Sequence, residues 1–151
     1  MTLIGRLAPR PSQPERMFEM QLIRTVKEIQ EFVKTCKAEG KSIGLVPTMG
    51  ALHEGHASLI AAAHKENQVV IVSDFVNPTQ FGPNEDYDAY PRKLEADSKV
   101  AEAAGATVLF APSPAEMYPH KDMTWVEVTG NVTKVLCGRT RPIHFRGVTT
   151  V

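Results

Sequence analysis

Two histidines, His53 and His56, stand three residues apart in the stretch PTMGALHEGH, which runs from Pro47 to His56. An imidazole nitrogen that carries a proton can donate a hydrogen bond to a phosphoryl oxygen. Gly50 and Gly55 have no side chain to keep a ligand away from the backbone. The free N–H groups at the start of a helix also attract phosphate. The stretch therefore favours a phosphate seat, although a polar turn with one helix-capping histidine fits the same residues.

The elements around this stretch would position both histidines at one turn. The short apolar run Ile43 to Val46 predicts a buried strand, and the Pro-Gly segment after it ends that strand. An apolar pattern of helical period resumes at Leu59 and predicts a helix from about His56 to Glu66. The sequence therefore predicts a strand, a tight loop and a helix start.

A second strand is predicted at 69–76, because the run is almost continuously apolar and suits a parallel strand covered on both faces. A strand–helix–strand unit makes a right-handed crossover, so the loops after both strands open into the same crevice. Asn77 and Gln80 should then lie beside His53 and His56. Taken alone, the Asn-Pro pair at 77–78 is typical of a simple turn.

The rest of the pattern continues the alternation of helices and strands. Thr25 and Glu28 have capping-box spacing and predict a helix over about 25–39. Apolar residues from Leu94 mark another helix that ends at Gly105, and a strand follows at 107–110. These elements predict an α/β fold: a Rossmann-like parallel sheet flanked by helices in three α/β/α layers.

The C-terminal region is predicted from weaker patterns. Residues 125–128 indicate a short edge strand, and Asn131 could cap a brief helix that ends at Gly138. A basic loop follows, made of Arg139, Arg141, His144 and Arg146. This basic loop could hold an anionic substrate or pair with the acidic, turn-rich loop 82–91, which is itself a solvated loop or a lid.

Composition narrows the class of partner. Seventeen basic and seventeen acidic residues give a formal net charge of zero, and no run of like charge indicates a nucleic-acid or membrane surface. No apolar stretch approaches the roughly 20 residues of a membrane span, and the N-terminus lacks a secretory signal core. We expect a cytoplasmic protein with small-molecule ligands, in which Cys36 and Cys137 are packed or free thiols.

The N-terminal residues differ in composition from the rest. Residues 1–19 contain Pro9, Pro11 and Pro14 among polar residues, which disfavours a helix or a central strand. We expect a disordered extension over 1–19 and one nucleotide-binding domain over 20–151.

Four motifs occur in order: PTMGALHEGH, SDFVNPTQF, YPR and RPIHFRGV. The His-x-Gly-His pattern resembles the nucleotide-binding signature of class I aminoacyl-tRNA synthetases and related nucleotidyltransferases. The four motifs together resemble one family of that group, the pantothenate synthetases or pantoate–β-alanine ligases. The resemblance extends from about Met20 to Val151.

The resemblance implies a two-step reaction. Pantoate attacks the α-phosphorus of ATP to give pantoyl adenylate and pyrophosphate, and the amine of β-alanine then displaces AMP to form pantothenate. It further implies Mg²⁺ with the ATP and a homodimer as the assembly. The histidine that matches His56 is the family's proton donor, and His56 and His53 are the catalytic candidates. The residue that matches Gln80 binds pantoate and β-alanine, and Gln80 and Asn77 are the candidates for that binding. The ATP-binding residues implied are Pro47, Thr48, Met49, Gly50, Ala51, Leu52, His53, Glu54, Gly55 and His56.

The sequence also departs from the family pattern. Asp74 stands where the family more often has an apolar residue, and a buried carboxylate is costly unless it is paired. A GEKD-type motif, a second pantoate-binding glutamine and a serine-rich loop would come after Val151. We therefore expect the N-terminal part of such an enzyme, unable to complete ligation at an enzyme-like rate by itself.

Three other interpretations compete. The first is a different His-x-Gly-His nucleotidyltransferase, and the second is a non-catalytic fragment that binds nucleotide weakly or associates with another chain. The third is a zinc site. Zinc proteases place their histidines at i and i+4 on an established helix, whereas here they are at i and i+3 with a glycine between, so the spacing disfavours zinc.

Overall fold

The computed structural model describes residues 20–83, 85–120 and 123–151, so the predicted extension over 1–19 lies outside the described residues. The strands are β1 (Gln21–Ile23), β2 (Ile43–Thr48), β3 (Val69–Asp74) and β4 (Val108–Phe110). The helices are α1 (Val26–Ala38), α2 (Glu54–Glu66), α3 (Leu94–Ala103), α4 (Pro114–Met117), α5 (Cys137–Thr140) and α6 (His144–Thr150). Two 3₁₀ turns lie at Pro78–Gln80 and Asn131–Lys134.

The four strands form one parallel sheet in the order β1-β4-β3-β2. Ile43 is the register partner of Val69, and Ile71 is the partner of Val108, so the three predicted strands pair as expected. In a parallel sheet the carboxyl ends of all strands meet at one edge. The loops after β2 and β3 therefore open at the same edge.

The sheet is covered on both faces, as the three-layer prediction required. On one face, α2 and α3 contribute Ile60 and Ala101 to a cluster with Val70 and Leu109 of the sheet. On the other face, α1 contributes Cys36 to a cluster with the buried Val108 and its neighbours. The residues of β3 point alternately into the two clusters, which is why this strand is nearly continuously apolar.

The edge strand β1 is the strand of the described sheet that the sequence analysis did not predict. Gln21–Ile23 has only three residues, too few to show a period. Its pairing with Val108–Phe110 comes from contact between segments more than eighty residues apart in the chain. The capping interaction directly after it is confirmed, since the Thr25 hydroxyl accepts a hydrogen bond from the Glu28 N–H at the start of α1.

The predicted edge strand at 125–128 is wrong, because this segment pairs with no strand among the described residues. Two hydroxyl groups of α6 form hydrogen bonds with its backbone instead. The Val126 N–H donates to Thr150 Oγ1 at 3.1 Å, and Thr149 Oγ1 donates to the Val126 carbonyl at 2.6 Å. Two side chains thus replace the bonds that a neighbouring strand would supply.

Two helix starts also differ from the predictions. Asn131 caps no helix: it is the first residue of a 3₁₀ turn whose cap position is Gly130, with a φ of 105°, and Leu136 with a φ of 48° separates that turn from α5. Helix α2 begins at Glu54, two residues before the predicted start, because His53 itself caps the helix. No helix in the described part of the chain is long and apolar enough to cross a membrane.

Candidate active site

The turn after β2 has two consecutive residues with left-handed backbone. Gly50 has a φ of 81°, and Ala51 has a φ of 52°, a conformation that is uncommon for a residue with a Cβ. The Thr48 hydroxyl accepts the Gly50 N–H at 3.2 Å and donates to the Ser73 carbonyl of β3 at 2.7 Å. The start of the turn is therefore tied to the neighbouring strand.

The middle of this turn is held by Asp97, which belongs to α3. Its carboxylate accepts the Ala51 N–H at 3.0 Å and the Leu52 N–H at 2.6 Å. Asp97 is only 2% exposed. Sequence analysis missed this residue, since an acidic side chain in the first turn of a helix is common for dipole reasons alone and carries no local sign of a distant partner.

The two histidines cap the first turn of α2 reciprocally. His53 Nδ1 accepts the Gly55 N–H at 3.1 Å, and His56 Nδ1 accepts the His53 N–H at 3.3 Å. The two ring centroids are 4.1 Å apart. Because each Nδ1 acts as an acceptor, each neutral ring carries its proton on Nε2.

Burial lowers the pKa of His56 below its ordinary value, and the neighbouring His53 lowers it further, while the Asp97 carboxylate acts in the opposite direction. A lowered pKa keeps this imidazole neutral at pH 7. A neutral ring whose Nδ1 accepts a backbone N–H retains one donor, the Nε2–H group. His56 is therefore suited to donate a hydrogen bond or a proton to an oxygen that gains negative charge.

These contacts change the expected source of phosphate donors. Sequence analysis assumed free N–H groups at the helix start, but the N–H groups of Gly50, Ala51, Leu52, His53 and Gly55 all donate within the protein. That expectation is wrong for Gly55, in the first turn of α2, while the other four groups lie before the helix and are occupied as well. Within the described residues, the two imidazole Nε2–H groups have no protein acceptor and can serve a ligand.

Asp74 at the end of β3 faces the same turn. Its Oδ1 lies 2.5 Å from the point where a Cβ on Gly50 would stand, and Asp97 Oδ2 lies 3.3 Å from that point. Partial burial raises the pKa of Asp74 to about 6, and the negative charge of Asp97 adds to the rise. The orientation that the sequence left open is thus toward Gly50, where only glycine leaves room for both carboxyl groups.

The loop after β3 is built around Asn77, which is 1% exposed. Its Oδ1 accepts from the Thr79 N–H, the Thr79 hydroxyl and the Tyr118 hydroxyl, the last at 2.9 Å. Its Nδ2 donates to Gln80 Oε1 at 2.9 Å and to the Gly147 carbonyl at 3.1 Å. Asn77 therefore has a full set of protein partners and acts here as the centre of the loop.

Gln80 connects this loop to the one after β2. Its side chain is 8% exposed, and its Nε2 donates to Met49 Sδ at 3.5 Å. Met49 immediately precedes the turn that Asp97 holds. The structure thus brings Gln80 together with the histidine-bearing turn, as the crossover argument predicts.

The predicted basic loop is wrong in part, because Arg139 lies in α5 and His144 and Arg146 lie in α6. Arg141, between the two helices, pairs with the acidic loop. Arg141 Nε donates to Glu85 Oε2 at 2.8 Å, and Arg141 Nη2 donates to the Gln80 carbonyl at 3.1 Å. The hydrogen bond from Arg141 lowers the pKa of Glu85 below its usual value. His144 Nδ1 lies 3.2 Å from the same Gln80 carbonyl. Of the two sequence interpretations, pairing with the acidic loop describes Arg141.

The other two basic residues of that loop lie apart from the Gln80 carbonyl network. The Arg146 guanidinium stacks 4.3 Å from the Trp125 ring centroid, and Arg139 is exposed. No group of three or more metal-ligating side chains is present among the described residues.

The known proteins to which this chain is similar come from one family. The model of the pantoate–β-alanine ligase family matches residues 21–151. The chain is 57% identical over 132 residues to the pantothenate synthetase of Acetivibrio thermocellus, a match that covers 87% of this chain and 47% of that protein. It is also 57% identical to the pantothenate synthetase of Moorella thermoacetica, with 87% and 46% covered.

The chain belongs to the pantoate–β-alanine ligase family. It spans about half the length of the curated relatives it matches. Every residue of the site described above lies inside the matched range of the family model.

Solved structures of the same family share the fold. Pantothenate synthetase from Thermus thermophilus superposes with a TM-score of 0.77 at 46% identity, over 87% of this chain and 46% of that one. The pantoate–β-alanine ligase of Francisella tularensis, solved in complex with β-γ ATP and β-alanine, gives a TM-score of 0.78 at 42% identity, over 87% and 50% of the two chains. The parallel sheet and its flanking helices are thus the N-terminal fold of this ligase family.

Proposed function

We propose that this chain supplies the ATP-activating half of a pantoate–β-alanine ligase. In the first step, a pantoate carboxylate oxygen attacks the α-phosphorus of ATP, the α–β phosphoanhydride bond breaks, and pyrophosphate leaves. In the second step, the β-alanine amine attacks the carbonyl of pantoyl adenylate, and AMP leaves as the amide of pantothenate forms. The observation that carries the proposal is that Gln80 contacts Met49, at the start of the same turn that leads to the two capping imidazoles.

The β2 turn suits the phosphate side of this reaction. Phosphoryl transfer depends mainly on positioning and on neutralising charge at phosphate oxygens. His56, kept neutral by its lowered pKa, presents Nε2–H as a donor, and His53 presents a second one beside it. We propose that these two imidazoles contact the phosphates, with His56 as the proton donor and residues 47–56 surrounding the nucleotide.

The loop after β3 suits the binding of the two other substrates, the acid pantoate and the amine β-alanine. Gln80 sits at the junction of the two loops with its amide nitrogen on the sulfur of Met49, a weak acceptor that a substrate oxygen can displace. Asn77 holds Gln80 Oε1 and so sets the orientation of the amide. We propose that Gln80 binds pantoate and β-alanine and that Asn77 supports it from behind.

Mg²⁺ belongs to the proposal as the counter-ion of ATP. A magnesium ion in such reactions is bound largely by phosphate oxygens and water, with one or two carboxylates from the protein, and it neutralises the charge on the leaving pyrophosphate. Asp74 and Asp97 both face Gly50 in the turn before the histidines, but Asp97 is already occupied by two backbone N–H groups.

The reaction requires ATP and small acids, and we propose a cytoplasmic location, in keeping with Cys36 and Cys137, which are both free thiols. We also propose a homodimer. The segment after 123 exposes several large apolar side chains that a second subunit could cover, among them Val126 at 53%, Val132 at 68% and Leu136 at 85% exposure. Light scattering after size exclusion would test the dimer, and a monomer at micromolar concentration would contradict it.

The experiment for the function combines binding and turnover. The purified chain is titrated with ATP and Mg²⁺, while a protein of full family length carrying these residues is assayed for pyrophosphate and pantothenate with and without pantoate. We expect ATP binding by the chain and pyrophosphate release that depends on pantoate. Pyrophosphate release that does not depend on pantoate would instead indicate another nucleotidyltransferase. Absence of both ATP binding and pyrophosphate release would refute the proposal.

A further inference from the structure

We propose that Asp97 is a positioning residue: its buried carboxylate fixes the turn 50–52 so that His53 and His56 present their Nε2–H groups to the ligand. This inference rests on the proposed function, because it assigns the source of order in the same phosphate-facing turn. Asp97 would not touch the nucleotide, since both of its oxygens already accept backbone N–H groups of the turn.

The first support is that Asp97 is buried although its side chain is a carboxylate. A carboxylate that is 2% exposed is costly unless hydrogen bonds satisfy it. Here the partners are two consecutive N–H groups, from Ala51 at 3.0 Å and Leu52 at 2.6 Å, one on each oxygen. A bidentate arrangement of this kind fixes both the position and the orientation of the peptide units that it holds.

The second support is the backbone that the carboxylate holds. Gly50 and Ala51 are both left-handed, and for Ala51 this conformation is disfavoured unless the surroundings impose it. The turn itself has no regular ladder, so the two bonds from Asp97 are what offset the strain at Ala51. Asp97 therefore selects this turn over the alternatives that a free Gly-Ala-Leu segment would adopt.

The third support is chain continuity from the turn to the imidazoles. Leu52, whose N–H the carboxylate holds, is followed directly by His53, the cap of α2. The direction in which His53 enters the helix decides whether its Nδ1 can reach the Gly55 N–H and whether its own N–H can reach His56 Nδ1. These two bonds place the ring protons on Nε2, so a change at Leu52 propagates to both donors.

The proposal also gives a role to the position of Asp97, whose carboxylate lies at backbone N–H groups that could otherwise bind a phosphate. Backbone N–H groups next to a helix start attract phosphate, and a carboxylate of the protein that already occupies two of them keeps phosphate from binding there. The ligand can then use the imidazole donors, the first of which, on His53, belongs to the residue directly after Leu52. Asp97 would thus set both the shape of the turn and the place where phosphate binds.

The test uses this chain with ¹⁵N-labelled histidine. In wild type we expect both rings as Nε2–H tautomers and slow hydrogen exchange at the Ala51 and Leu52 amides. In Asp97→Asn the new amide group can accept only one of the two N–H groups and turns a donor toward the other. We expect mixed tautomers at His53 and His56, faster exchange at Ala51 or Leu52, and about tenfold weaker binding of Mg²⁺–ATP.

The matched control is Glu95→Gln, which removes a carboxylate from the same helix at an exposed position where it pairs with Lys99. It should leave the tautomers, the exchange rates and ATP binding at wild-type values. A folded Asp97→Asn chain with wild-type tautomers and wild-type ATP affinity would overturn the proposal. So would fast exchange of the Ala51 and Leu52 amides in wild type, a measurement that stands even if the variant does not fold.

Failure of the proposed function gives a different result. If wild type binds no ATP while its histidines show the fixed tautomers and Asp97→Asn loses them, the ligase assignment fails and the positioning role of Asp97 stands. If wild type binds ATP and the variant binds it equally well with unchanged tautomers, the positioning role fails and the ligase assignment stands.

Discussion

The loops after β2 and β3 lie side by side at one edge of the sheet, yet they are held in place by different means. The β2 turn is ordered partly by its immediate neighbours in the chain, through the reciprocal caps of His53 and His56. It is ordered partly from a distance, by Asp97 and by the bond from Thr48 to the Ser73 carbonyl. The β3 loop is ordered from the far end of the chain, through Asn77, Arg141 and Gly147. Contacts of the first kind can be inferred from spacing, and contacts of the second kind cannot.

The difference has a chemical counterpart in the proposed reaction. The β2 turn carries fixed donors for the phosphate side, whereas the β3 loop carries Gln80 for the acid and amine side. If the comparison is right, loss of the contacts that Gly147 and Arg141 make with the β3 loop, here called the clamp, should affect the β3 loop alone. Loss of the histidine caps should affect the β2 turn alone.

The largest expected effect is at Gly147 in α6. A Cβ at this position would stand 2.6 Å from the Gln80 backbone nitrogen, closer than real Cβ contacts, and backbone atoms cannot rotate away. We expect Gly147→Ala to lower the free energy of unfolding by about 3 kcal/mol through overpacking. Urea unfolding followed by circular dichroism measures it.

The control for that substitution lies in the loop on the other side of the same contact. A Cβ on Gly82 would meet Glu85 Oε1 at 3.6 Å, an ordinary contact. Gly82→Ala should therefore change stability by less than about 0.5 kcal/mol, the usual range for surface substitutions. Equal effects of the two substitutions would contradict the clamp between α6 and the β3 loop.

His56→Ala tests the β2 turn. In a protein of full family length, we expect it to slow adenylate formation by about 10²-fold, the scale seen when one preorganised donor to developing charge is lost. His64→Ala, in the last turn of the same helix, serves as the control and should leave the rate unchanged. Pyrophosphate release under saturating pantoate is the measurement, and a wild-type rate in His56→Ala would remove this residue from the proposed chemistry.

Gln80→Ala tests whether the β3 loop binds pantoate while the β2 turn binds ATP. We expect the KM for pantoate to rise roughly tenfold or more, since loss of one hydrogen-bonding side chain in a buried site costs about 1–3 kcal/mol. The affinity for ATP should stay within twofold. Gln30→Ala on the exposed side of α1 is the control. If ATP affinity fell while the dependence on pantoate stayed the same, Gln80 would belong to the nucleotide instead.

Asp74→Asn has the smallest expected effect, and that effect depends on pH. The pKa of Asp74 is raised to about 6 in the folded protein, so the folded protein holds the carboxyl proton more tightly than the unfolded chain does. The free energy of unfolding therefore falls as pH rises from about 4 to about 6. Asparagine removes the charge. We expect a gain of about 1 kcal/mol at pH 7.5, reduced from the full shift because solvent screens a partly exposed group, and almost no gain at pH 4.

Thermal unfolding of Asp74→Asn at the two pH values checks this prediction, with Asp88→Asn in the exposed loop as the control for general charge effects. The relevant quantity is the difference between variant and wild type at each pH, which cancels the titration of all other groups. A gain that is equal at both pH values would show that Asp74 is not the titrating group.

Much of the fold followed from patterns within short stretches of sequence. The parallel strands near 43–46 and 69–76 were predictable because each is a nearly continuous apolar run, and the helix between them was predictable from its helical period. Strand β1 was not predictable, since three residues show no period and its partner lies far along the chain. The expected strand at 125–128 failed because Thr149 and Thr150 satisfy its backbone instead.

The candidate site divides in the same way. The sequence alone predicted that Gln80 would lie near the turn that carries His53 and His56, because residue spacing and the hand of a strand–helix–strand crossover are local properties. Only the tertiary structure decided that Asp97 accepts the N–H groups of Ala51 and Leu52, that Asp74 faces Gly50, and that Arg141 pairs with Glu85. Each of these depends on which buried polar groups meet across the fold. A carboxylate or a guanidinium carries no sign in its own stretch of sequence of the distant partner that satisfies it.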